Sequence, residues 1–196
     1  MSAKFIFSCV GFLLFIFTQT AHAQSVSNCS SFKVATVRGT NTTFSTDLNA
    51  AINSAQSNDT IRVGNGPFPE ITVNAKTNLI IQSSCSSVVR SFQLKNNNGL
   101  VIDGFDISGP STVGAGIFFA VGGNANNNVT IRNNKVHAGS TVNGIEIRNK
   151  NTNINLQNND IYGNANGIFY NVGGPSGPYV VTGNNVHGNY QNGISV

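Results

Sequence analysis

At 196 residues, 39% of them hydrophobic and only 9% charged, the chain is long enough for one packed domain and too rich in recurring apolar residues for intrinsic disorder. Its formal charge of +4 falls to +3 without Lys4, and the ten remaining Lys/Arg form no run, which argues against a nucleic-acid-binding surface. A mildly basic surface of this kind favours an acidic polymer, while Asn, Ser, Thr and Gly supply most of the polarity.

Residues 1–23 read as a secretory signal peptide. Lys4 gives the positive start, residues 5–17 the apolar run, and Ala21-His22-Ala23 the small-x-small site that places cleavage before Gln24. An uncleaved anchor is the alternative, but the run is short for a membrane span and nothing later is apolar enough to cross. The expected location is therefore secreted, extracellular or periplasmic, with no membrane contact after cleavage. Cys9 leaves with the signal. Cys29, in an N-terminal extension over residues 24–45, and Cys85 remain as an even pair, which in an exported chain predicts a disulfide, with two free thiols as the alternative.

From residue 46 the pattern changes. Thr46 or Ser45 can cap a short helix whose Leu48, Ala51, Ile52 and Ala55 share a face. NDTIRV then predicts a strand, GNGPFPE a turn and ITV another strand. A repeat follows. An apolar-x-apolar segment anchors at Ile81, Ile102, Ile131, Leu156 and Val181, and five residues after the last four anchors come Ile107, Val136, Ile161 and Val186. Later in each unit stands a Gly-apolar pair: Gly116-Ile117, Gly144-Ile145, Gly167-Ile168 and Gly193-Ile194. A period near 25 residues signals a solenoid. The segments are short, alternate with period two and sit between Asn and Gly, so they predict strands.

Three strands per unit make a parallel β-helix, in which neighbouring coils complete each other's core and hydrogen bonds. The alternation Gly104, Asn133, Asn158, Gly183 predicts a left-handed corner. The next column, Ser84, Phe105, Asn134, Asn159, Asn184, predicts a stacked amide ladder. Residues 122–128 and 171–178 read as looser loops. A leucine-rich repeat is the rival, since Val129-x-Ile131-x-x-Asn134-x-Val136 fits its core, but Asn126, Asn151 and Ser176 stand where it needs leucine.

TDLNAAINSAQSNDTIRV, NLIIQSS and the recurring NNVTIRNNKV…NGIEI resemble the right-handed parallel β-helix superfamily of pectate-lyase-like architecture. The resemblance covers most of residues 46–196. It implies an all-β solenoid with a short N-terminal capping helix, in a superfamily that includes polysaccharide lyases, glycoside hydrolases, epimerases and non-enzymatic surface proteins. The final GISV strand reaches Val196 with no closing segment, so further sequence or another chain is expected to cover that end.

Four outward columns carry the candidate chemistry. Asp106, Lys135, Asp160 and Asn185 would form an ion ladder, or pair two carboxylates about 9.6 Å apart across two strand spacings, near the separation of an inverting glycosidase. Gln82, Asp103, Arg132, Gln157 and Thr182 offer Asp103 and Arg132 as stacked neighbours. β-Elimination from a uronate needs a base and a cation at the carboxylate, and Asp103 with Asp106 would make at most a thin Ca²⁺ site. Ser108, His137, Tyr162 and His187 bring groups that titrate near neutral pH, without a third ligand for a metal. Phe118, Glu146, Phe169 and Ser195 place a carboxylate between rings, which suits a sugar if the rings are exposed.

Structural readings stand beside each column: a surface salt bridge, a ladder, rings covered by a loop. The signatures of polygalacturonases (paired Asp-Asp with Gly-His-Gly) and pectate lyases (Arg-x-Pro-x-x-Arg) are missing, as are Gly-Gly-x-Gly-x-Asp calcium repeats. Two functions follow: a non-catalytic protein binding polysaccharide or cell-surface glycan or serving in adhesion, or alternatively a lyase, hydrolase or epimerase acting on acidic glycans, with Ca²⁺ conceivable only for a lyase. No other cofactor is implied. Asn28, Asn41, Asn58 and Asn128 head Asn-x-Ser/Thr sites that matter only on a eukaryotic secretory route.

Overall fold

Every coil of this chain leaves an apolar stripe that only its neighbours can cover, and the result is a stack. The computed structural model describes residues 32–85, 87–109, 111–120, 125–148, 150–173 and 176–196. The proposed signal peptide and Cys29 lie outside them. Cys85 is disulfide-bonded.

The fold is an all-β parallel solenoid of about 5 turns. Its first face stacks β3 (Thr60–Val63), β5 (Ile80–Ser83), β7 (Val101–Asp103), β10 (Asn127–Arg132), β13 (Thr152–Gln157) and β16 (Tyr179–Thr182). The second stacks the start of β6 (Val88–Lys95) with β8 (Asp106–Ile107), β11 (Lys135–Val136), β14 (Asp160–Tyr162) and β17 (Asn185–His187). The third stacks β4 (Phe68–Asn74), the rest of β6, β9 (Ala115–Phe119), β12 (Asn143–Arg148), β15 (Asn166–Asn171) and β18 (Asn192–Ser195).

The registers match the repeat. Ile81, Ile102, Ile131, Leu156 and Val181 pair in succession, with Ile61 preceding them. Ile107, Val136, Ile161 and Val186 form the second column, and Ile117, Ile145, Ile168 and Ile194 the third. These side chains are buried as far as Leu156, Ile161 and Ile168, and they fill one continuous core. Such a stack of strands excludes the leucine-rich repeat.

Helix α1 (Leu48–Ser54) buries Leu48, Ala51 and Ile52 against the first coil. Its cap is Asp47, whose Oδ1 accepts the Ala50 N–H at 3.2 Å, while Ser45 Oγ accepts the Asp47 N–H at 3.0 Å. The expected caps Thr46 and Ser45 are displaced because a carboxylate at this position reaches the free N–H groups of the first turn. The N-terminal extension also contributes more than expected. β1 (Val34–Arg38) and β2 (Asn41–Ser45) form a hairpin, and β1 pairs antiparallel with β3, so the first edge of the sheet is occupied.

Corners repeat with the coils. Gly104, Asn133, Asn158 and Gly183 have φ of 78°, 55°, 53° and 66°, the expected left-handed column. The glycine before each isoleucine of the third face has a different reason. A Cβ on Gly144 would lie 2.5 Å from the Gly167 carbonyl oxygen and 2.8 Å from Ile161 Cγ2, so that position is closed by contact with the next coil.

Asn side chains tie the corners together. Asn159 Oδ1 accepts the N–H and the amide Nδ2 of Asn134, and Asn184 Oδ1 does the same for Asn159. Phe105 donates its N–H into the same ladder, to Asn134 Oδ1 at 2.9 Å. Asn97, Asn126 and Asn151 build a second ladder, and Asn164 with Asn189 a third. Asn126 and Asn151, two of the three residues standing where the rival repeat needs leucine, are rungs. The proposed loop over 122–128 is shorter than expected, since Asn127 already belongs to β10, and residues 121–124 lie outside the described set.

Candidate functional site

The second face gathers the most titratable groups. In strand register, Asp106, Lys135, Asp160 and Asn185 form one outward column. His137 lies in the next column with Tyr162 and His187, and these three rings stack: 5.3 Å at 10° between His137 and Tyr162, 5.2 Å at 20° between Tyr162 and His187. Because both faces of Tyr162 are covered by imidazoles, the stack presents ring edges to solvent. Edges carry nitrogen and hydroxyl groups, so the row is one of hydrogen-bonding atoms about one strand spacing apart.

The carboxylates pair differently from the expected ladder. Asp106 Oδ1 sits 2.6 Å from His137 Nε2, and Asp160 Oδ1 sits 3.1 Å from His187 Nε2 while accepting Asn185 Nδ2 at 2.9 Å. Lys135, between the two Asp residues in the column, forms an ion pair with neither among the described residues. Its Nζ lies 5.5 Å from the Tyr162 ring centre. The Lys135 ammonium is held above its usual range, first by a hydrogen bond with Tyr162 and its charge, then by Asp106 and Asp160. The physical reason is reach: an imidazole one coil along and two residues on meets the carboxylate directly, whereas the long lysine stem extends past it.

Around the corner, on the first face, Asp103 and Arg132 are register neighbours as expected. Arg132 Nε donates to Asp103 Oδ2 at 2.8 Å, and Asn133 Nδ2 donates to Asp103 Oδ1 at 2.8 Å. Asp103 is therefore engaged twice. No group of three or more His, Cys, Asp or Glu side chains placed to hold a metal occurs among the described residues.

The third face corrects an expectation. Phe118, Glu146, Phe169 and Ser195 are in register, but Phe118 is 8% exposed and Glu146 4%. Phe118 packs with Ala115, Ala120 and Val113 under the guanidinium of Arg148, which lies 4.8 Å from its ring centre. Glu146 accepts from Arg148 Nε at 2.6 Å and Asn143 Nδ2 at 3.0 Å. The loop before β9 folds back over the ring. Of the two rings only Phe169 is half-buried, so this column offers no open aromatic platform.

All seven Asp and Glu residues of the chain are engaged by internal donors: Asp47 by the helix, Asp59 by Arg38, Glu70 by Thr112, Asp103 by Arg132, Asp106 by His137, Glu146 by Arg148 and Asp160 by His187. By contrast, Lys33, Arg62, Lys76, Arg90, Lys95, Lys135 and Lys150 form no ion pair among the described residues, Lys76 donating instead to the Asn53 and Ala55 carbonyls. Sequence reasoning missed this asymmetry, because partner choice depends on neighbours one coil away. It also missed Arg38, whose Nε and second guanidinium nitrogen grip the buried Asp59 at 2.9 and 2.7 Å.

No family model, no curated protein and no solved structure matches this chain.

Proposed function

We propose that this protein is a secreted, glycan-binding parallel β-solenoid, right-handed and akin to the pectate-lyase-like superfamily, whose ligand is an acidic polysaccharide or acidic cell-surface glycan. One observation carries the reading: every carboxylate accepts an internal hydrogen bond, three of them from arginines, while seven cationic side chains form no ion pair among the described residues, so the surface balance favours a polyanion. The second face adds the ring-edge row of His137, Tyr162 and His187 with Lys135 beside it. Those donors and acceptors suit hydroxyl and carboxylate groups spaced along a sugar chain. The signal-like segment at residues 1–23 supports meeting such a ligand outside the cytoplasm.

The test is equilibrium binding to a soluble polyuronate, a neutral β-glucan and duplex DNA across a salt series. The reading predicts binding to the polyuronate that weakens with salt and little binding to the glucan. Equal affinity for DNA would replace it with a general polyanion surface, and no binding to the polyuronate would overturn it.

A second reading, catalysis by β-elimination on a uronate, is favoured by the Asp106–His137 pair. A carboxylate 2.6 Å from Nε2 orients the ring so that Nδ1 can take a proton, and Lys135 or Arg132 would neutralise the uronate carboxylate. The glycosidase pairing of Asp106 with Asp160 is weakened, since each carboxylate is committed to an imidazole. Unsaturated uronate absorbance that appears with the native chain and vanishes with His137→Ala would establish catalysis; its absence at saturating polymer would leave binding alone.

A further inference from the structure

Face two does not end at His137. One residue beyond the Val89–Ile107 and Ile107–Val136 pairs, the register sets Arg90 beside Ser108 and Ser108 beside His137. Gly109 N–H donates to the Arg90 carbonyl at 2.9 Å, which fixes that alignment. Arg90 thus heads the same column as the stacked rings. Here the surface is hollow: Pro67, Phe68, Pro69 and Val88 wall a groove of about 310 Å³, with Arg90 and Ser108 as its polar side chains. That volume is at the lower end of small-ligand sites, about 300–1,000 Å³.

We propose that this groove is the end subsite of a binding strip running along the solenoid axis, seating one uronate-type residue with its carboxylate on Arg90 and its C–H face against the proline-lined wall. Following residues lie over Ser108 and the edges of His137, Tyr162 and His187. This rests on the acidic-glycan reading and gives it a direction, a length and an anchoring group. Neither nearby acid forms an ion pair with Arg90 among the described residues, although Glu70 lies within its electrostatic reach. Glu70 accepts both the N–H and the hydroxyl of Thr112, at 3.0 and 2.7 Å, and Asp106 is bonded to His137. Arg90 is exposed, and its planar fork matches a carboxylate. From Arg90 to His187 the column crosses four strand spacings, about 19 Å, enough for several sugar residues in extended form.

The experiment is calorimetric titration of the full chain with 1,4-linked oligouronates of increasing length, from dimer to hexamer, alongside Arg90→Gln and Lys150→Gln. Lys150 is an exposed cation off this strip, so its variant controls for the loss of one charge. Affinity of the native chain should rise with length up to the longest oligomers. Arg90→Gln should weaken the hexamer about tenfold, the loss expected for one charge-assisted contact, while Lys150→Gln changes it less than about twofold. If Arg90→Gln and Lys150→Gln weaken the hexamer equally, or if native affinity does not depend on length, the strip is overturned while glycan binding survives. If the native chain binds no oligouronate and no polyuronate, the glycan reading fails and the strip fails with it.

Discussion

Asn159 hands both its backbone N–H and its side-chain amide to one oxygen, Oδ1 of Asn184, at 2.9 and 2.8 Å. Its own Oδ1 receives the same two donors from Asn134, and its Nδ2 also donates to the Ile131 carbonyl at 3.0 Å. Asn159 is 1% exposed, so no water replaces these partners easily. Asn159→Leu would strand the Asn134 N–H in the core and take one partner each from the Asn134 side-chain amide, the Ile131 carbonyl and Asn184 Oδ1. A stranded group costs about 1–3 kcal/mol, and each kcal/mol lowers Tm by about 2–4 °C at this chain length. A thermal melt should therefore shift down by several degrees; an unchanged melt would remove the ladder as a stabilising element.

Gly144→Ala tests the close approach of β12 and β15. Overpacking at a contact of 2.5 Å to the Gly167 carbonyl forces backbone movement, at about 1–3 kcal/mol. Denaturant unfolding should show a lower midpoint. A midpoint equal to that of the native chain would mean that the third face is looser than its geometry indicates.

Arg38 and Asp59 give a pH signature. The Arg38 hydrogen bonds hold the buried Asp59 carboxyl below its ordinary range, with help from the Gln56 N–H and the charges of Arg38 and Lys76. A depressed folded-state pKa stabilises above the unfolded value of about 3.9 and is lost as pH falls through the folded one. Stability should therefore drop as the medium is acidified below about pH 4, and Asp59→Asn should flatten that part of the curve while lowering stability at neutral pH. An identical acid limb in the variant would assign the drop to other carboxylates.

The stacked rings make a separate prediction. Tyr162→Ala removes the ring between two imidazoles and the partner of Lys135 but leaves the inward neighbour Ile161 in place. Binding of acidic polysaccharide should weaken, with the melt nearly unchanged. Unaltered affinity would move the site away from this face.

The core was legible because it is periodic. Ile102, Ile131 and Leu156 recur at spacings that translate directly into stacked partners, and Gly104 with Asn133 marks a corner that few other residues tolerate. The column contents at the candidate site were legible too, including His137, Tyr162 and His187. What could not be read was the choice of partner within a column. Asp106 has Lys135 beside it in register, yet bonds to His137, because side-chain length and direction decide among neighbours a few ångströms apart. Phe118 alternates outward like an exposed residue, and it is Arg148 from the next coil and Val113 from the loop before β9 that cover it. The Asn97–Asn126–Asn151 ladder did leave a trace, a 25-residue recurrence of Asn between 126 and 151, hidden by the expectation of a leucine.

The most direct test of the account is hydrogen–deuterium exchange of the full chain with and without saturating polyuronate. The account predicts that bound polymer slows exchange along the second face, in and beside Lys135–Val136, Asp160–Tyr162 and Asn185–His187, with little change on the third face near Glu146. Protection confined to another face, or none at a polymer concentration that saturates binding, would contradict it.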